Sequence, residues 1–118
     1  MKKQNIQELL ETASKGTDIR ASVAQDALDY GDVDEAISYL KDVTEHGCAS
    51  GTCSGLVYYA DTYEFYSQHQ DECDEVLYEY EENTGEGFKF EGRDVPNTLV
   101  WMAYEQRACE LLAEIENN

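Results

Sequence analysis

Between Lys41 and Lys89 the chain carries no lysine or arginine, yet the interval holds Asp42, Glu45, Asp61, Glu64, Asp71, Glu72, Asp74, Glu75, Glu79, Glu81, Glu82 and Glu86. Most of these acids ride on a second pattern. Leu56, Tyr59, Tyr63, Tyr66, Gln70, Cys73, Leu77 and Tyr80 recur at alternating steps of three and four, the spacing that keeps residues on one side of a helix. With Leu56 at heptad position a, the acids from Asp61 to Glu82 fall at b, c, e and f and none at a, d or g. The chain therefore predicts an amphipathic helix, or two helices broken near Gln68-His69-Gln70, with an apolar inner stripe and an anionic outer side.

The density of charge on that outer side is high. Asp71 to Glu82 places seven acids in twelve residues, one charge per roughly 2.5 Å of helix at 1.5 Å per residue. Duplex DNA carries one per ~1.7 Å of its axis. The like-charge neighbours Asp71/Asp74, Asp71/Glu75, Glu75/Glu79 and Glu79/Glu82 each cost a few tenths of a kcal/mol. Selection for helix stability alone would mix the signs, so the run points to a basic partner surface. Tyr58, Phe65 and Tyr78 lie off the inner stripe and are candidate aromatic anchors within the acidic field. A solvated acidic face that serves only solubility is the plainer reading of the same pattern.

The whole chain shares the bias: 26 Asp and Glu against 8 Lys and Arg give a formal charge of −18 over 118 residues. Such a chain lacks the cations to track a phosphate backbone or to seek an anionic membrane face. High net charge is also a mark of disorder, but 42% hydrophobic residues, with nine Tyr, three Phe and one Trp, supply a core. One acidic helical domain over 1–118 is expected. Met1-Lys2-Lys3-Gln4-Asn5 is followed by no apolar signal region, and no run is long enough to span a membrane. A cytoplasmic location follows as an expectation, and with it free thiols at Cys48, Cys53, Cys73 and Cys109.

Elsewhere the periodicity is also helical. Ile6, Leu9 and Leu10 mark a first helix ending near Gly16. Asp18 can cap a second, carrying Ile19, Val23, Ala27 and Tyr30 and stopped by Gly31. A third runs from Asp32 to His46-Gly47 with Val33, Ala36, Ile37, Leu40 and Val43 on one face. Its junction with the second reads as a helical hairpin. Asn83-Thr84-Gly85 stops the acidic helix, and Phe88-Lys89-Phe90 suggests a short extended or hairpin segment over 86–92. Asn97 or Thr98 can cap a last helix with Trp101, Tyr104, Ala108, Leu111 and Ile115 on one side. The fold class expected is all-α, about five helices.

Chemistry-bearing constellations are sparse. His46, Cys48, Cys53, His69 and Cys73 are five soft groups, and a zinc-stabilised protein–protein adaptor built on them is the alternative reading. The Cys48–Cys53 spacing departs from the usual zinc knuckle, and Cys73 sits on the apolar stripe. No phosphate loop, dinucleotide fingerprint or nucleophile–base order occurs, so neither an enzyme nor a cofactor is expected.

Tyr58-Tyr59-Ala60-Asp61, Tyr104-Glu105-Gln106 and the ending Glu110-Leu111-Leu112-Ala113-Glu114-Ile115-Glu116 carry a resemblance over about half the chain. In these segments it resembles the small acidic anti-defence proteins of phages and mobile elements, in outline the Ocr-type DNA-mimic antirestriction proteins. That resemblance implies an all-helical, dimeric mimic of bent B-form DNA that occupies the DNA groove of a restriction–modification enzyme. By motif, Asp61 and Glu105 would be mimic positions.

The expectation is then a non-enzymatic nucleic-acid-mimic inhibitor of a restriction or CRISPR-type host enzyme. Its partner would be a basic nucleic-acid-binding protein, with no direct nucleic-acid or membrane binding. The candidate partner face comprises Asp61, Glu64, Asp71, Glu72, Asp74, Glu75, Glu79, Glu81, Glu82, Glu86 and Glu105.

Overall fold

Six helices follow one another in the computed structural model, which describes residues 2–46, 59–85 and 94–117. They are α1 (Lys3–Ser14), α2 (Ile19–Asp29), α3 (Val33–His46), α4 (Tyr59–Gln68), α5 (Gln70–Thr84) and α6 (Asp94–Glu116). No strand occurs among the described residues, and the segment expected to be extended at 86–92 lies outside them. The fold is all-α. Six helices stand among the described residues where about five were expected, because residues 59–84 form two elements: His69 departs from helical geometry at φ −124°, ψ 31° and separates α4 from α5.

Local chemistry explains most of the boundaries. Asp18 Oδ1 accepts a hydrogen bond from the Ala21 N–H at 2.9 Å and starts α2, and Asp32 Oδ1 does the same for Glu35 N–H at 3.0 Å at the start of α3. Between these helices the chain reverses at Gly31, whose φ of +149° is strained for any residue with a side chain. A Cβ there would also meet the Glu35 carboxylate at 2.5 Å. α5 ends on Gly85 in the left-handed conformation, its N–H donating to the Glu81 carbonyl. The last helix starts at Asp94, ahead of the expected caps Asn97 and Thr98, with Pro96 in its first turn. A proline is tolerated there because the first amides of a helix have no intrahelical partner.

α6 is the central column, packing against α2, α3, α4 and α5, while α1 covers α2. Its burial matches that position: Leu99, Val100, Ala103, Tyr104, Ala108, Leu111 and Ile115 are all buried. The expected stripe is present at Tyr104, Ala108, Leu111 and Ile115, and widened because α6 has neighbours on several sides. The small residues Ala21, Ala24 and Ala27 make the inward face of α2 shallow enough for close approach.

Three stripe assignments change. Tyr30 ends α2 and is 53% exposed, its ring packed on Tyr39 instead of entering the core. On α3 the fully buried Tyr39 joins Ala36, Leu40 and Val43, while Val33 and Ile37 flank them half-buried. On α5 the inner positions are Cys73 and Val76, with Gln70 exposed and Leu77 only half-buried. The break at His69 turns the inner seam of α5 from heptad positions a and d to d and g, so position c comes to its edge. Glu72 occupies that position.

Candidate functional site

The outer side of α5 is built almost wholly of carboxylates. Asp71, Asp74, Glu75, Glu79, Glu81 and Glu82 are all exposed, and at 100° per residue they span an arc of about 160° centred near Tyr78. None forms an ion pair among the described residues. Glu79 accepts a hydrogen bond from Gln106 Nε2 at 3.1 Å, and Glu82 accepts one from the Tyr78 hydroxyl at 3.0 Å. Tyr78 itself is 61% exposed.

Glu72 behaves differently from its neighbours. It is half-buried, and its carboxylate accepts from the Ile19 N–H at 3.0 Å, lies 3.3 Å from His69 Nδ1 and 3.5 Å from Arg107 Nε. Together with Asp18 it places a second carboxylate on the N-terminus of α2, where the helix dipole and unpaired amides favour negative charge. Arg107 also pairs with Glu110 at 3.1 Å. A cation distant in sequence thus offsets part of the acidic run, and Glu72 is a structural tie instead of a member of the outward arc.

The remaining candidates scatter. Glu64 is exposed on α4, and Glu105 is half-buried on α6, so neither belongs to the α5 arc. Phe65 is not an exposed anchor: it is half-buried against the core and packs on His69 with ring centroids 4.5 Å apart. Tyr58 and Glu86 lie outside the described residues, as does the side chain of Asp61.

Of the five soft ligands, Cys48, Cys53 and the side chain of His46 lie outside the described residues. Cys73 is a buried free thiol whose surroundings push its pKa up to about 12, burial first and then Glu72 and Asp74. Neutral thiol is the core form, and thiolate the ligand form. His69 turns Nδ1 to Glu72. Among the described residues no group of three His, Cys, Asp or Glu side chains converges to hold a metal ion. Cys109 is an exposed free thiol on α6. A shallow polar cleft of about 450 Å³ lies beside the α4–α5 junction, lined in part by Asp18, His69, Asp71 and Glu72.

One cluster was not foreseen from the sequence. The buried hydroxyls of Tyr39 and Tyr104 are hydrogen-bonded to each other, and Tyr104 donates onward to Asp26 Oδ2, so that α3, α6 and α2 share one polar chain. Burial raises the pKa of Asp26, with nearby Asp29 adding to the rise and the Tyr104 hydrogen bond opposing it. Burial, followed by the charge of Asp26, raises the pKa of Tyr104. Asp26 lies one residue before buried Ala27 and three after buried Val23, a position at the margin of the α2 stripe that periodicity alone reads as solvent-facing.

Among the described residues no helix is long and apolar enough to cross a membrane. No curated protein matches the chain, and no solved structure matches it. A family defined as a domain of unknown function, DUF7222, matches residues 3–117. The chain belongs to the DUF7222 family.

Proposed function

We propose that this protein is a non-enzymatic, cytoplasmic inhibitor whose α5 face competes with nucleic acid for the basic groove of a DNA- or RNA-binding defence enzyme. The observation that carries this reading is the six-carboxylate arc of Asp71, Asp74, Glu75, Glu79, Glu81 and Glu82, exposed and without an ion pair among the described residues. Their mutual repulsion costs helix stability that a mixed-sign surface would recover. A basic groove offers such an array steered association and release of the groove's own counter-anions.

The test is a pull-down from host lysate at 50 and 500 mM salt, followed by displacement with duplex DNA or single-stranded RNA. The reading expects a nucleic-acid-binding protein that is captured at low salt, lost at high salt, displaced by nucleic acid and not captured by a variant carrying Asp71→Lys, Asp74→Lys, Glu75→Lys and Glu81→Lys. Glu72 is left intact in that variant because its charge holds α2. Capture unaffected by the four reversals would overturn the proposal.

A further inference from the structure

Carboxylates on a helix face are often only a solvated surface, and they leave Tyr78 unexplained. Its ring is 61% exposed in the middle of α5. Tyr30, the other large hydrophobic residue of comparable exposure among those described, at least packs on Tyr39 at a centroid distance of 4.8 Å. On a helix surface the neighbours of Tyr78 are the residues three and four away. These are Asp74, Glu75, Glu81 and Glu82, every one an exposed carboxylate. The Tyr78 hydroxyl donates to Glu82 Oε1 at 3.0 Å, which ties the ring's outer edge to one of these carboxylates.

Any group that settles on this ring must come within reach of four negative charges. An apolar group would strip water from those carboxylates and return nothing to them. An ammonium satisfies the charge but is compact and strongly hydrated, so it gives up more on leaving water for the ring. A guanidinium is flat and weakly hydrated; it stacks on an aromatic face while its N–H groups, lying in the plane, reach carboxylates at the edge.

We infer that Tyr78 is a stacking seat for an arginine side chain presented by the partner's basic surface, with Asp74, Glu75, Glu81 and Glu82 as the surrounding acceptors. The inference rests on the proposed competition for a basic groove and narrows it to a groove that presents arginine at the point meeting the middle of α5.

Nona-arginine and nona-lysine peptides of equal charge serve as probes, titrated against the wild type, Tyr78→Phe and Tyr78→Leu at low salt. Arginine binds carboxylates better than lysine even without an aromatic, so the quantity read is how much of the arginine-over-lysine ratio depends on the ring. Tyr78→Leu is expected to lower that ratio about three- to five-fold, because it weakens nona-arginine binding more than nona-lysine binding, and Tyr78→Phe to keep it. A ratio unchanged in Tyr78→Leu overturns the arginine seat and leaves the acidic docking face standing. Failure of the wild type to bind either peptide overturns both.

Discussion

Asp26 is a half-buried carboxyl that receives a tyrosine hydroxyl where a cation would be the commoner partner, and it forms no ion pair among the described residues. Its pKa is raised in the fold by burial and by Asp29, so the folded chain holds the Asp26 proton more tightly than the unfolded chain. The stability this contributes is complete below the unfolded carboxyl value and is lost as pH rises through the folded one. Asp26→Asn keeps an acceptor for Tyr104 and does not titrate. Its stability relative to the wild type is expected to increase from pH 3 upward and level off once wild-type Asp26 is ionised, as read by urea unfolding at stepped pH. A difference independent of pH would show that Asp26 is not perturbed. Tyr104→Phe, by contrast, removes the hydroxyl that bonds both Asp26 and the buried Tyr39 and is expected to cost about 1–3 kcal/mol in the same measurement.

At the level of the helices, α5 has two sides with separate tasks, and the register separates them. Val76 is buried and Gln70 exposed, the reverse of what one unbroken stripe from Leu56 to Tyr80 would give. Val76→Ala is accordingly expected to destabilise by about 1–3 kcal/mol through lost burial and a residual cavity, while Gln70→Ala stays within about 0.5 kcal/mol. Equal effects in chemical denaturation would mean that the seam does not turn at His69. The N-terminus of α2 is served by two carboxylates from different elements, Asp18 and Glu72. Asp18→Ala alone is expected to cost about 1 kcal/mol. Combined with Glu72→Ala, it should cost more than the sum of the single changes by about 0.5 kcal/mol or more, because each carboxylate partly substitutes for the other. Strict additivity in the double-mutant cycle would mean that Glu72 does not act on that helix end.

For the molecule as a whole, the −18 charge opposes its own folding by self-repulsion, and salt screens that repulsion over a Debye length of about 10 Å at 0.1 M. Raising sodium chloride from 20 to 500 mM is expected to raise the thermal midpoint by several degrees while weakening capture of the basic partner. The opposite signs make the two effects separable: a midpoint that falls with salt would place the dominant charge interactions within the fold. The helices themselves were legible from neighbouring residues. Asp18 and Asp32 cap, Gly31 and Gly85 stop, and Ile19, Val23, Ala27, Ala108, Leu111 and Ile115 lie inward at the steps their spacing requires, because caps and periodicity are set within a turn or two of chain. The density of acids on α5 was legible for the same reason. Packing decided the rest. Glu72 joined Arg107 and the start of α2, and Tyr39 entered the core to meet Tyr104, which itself donates to Asp26. Those outcomes depend on residues dozens of positions away, and no helical period can report which distant side chain will stand opposite a given one until the central helix α6 has brought the others around it.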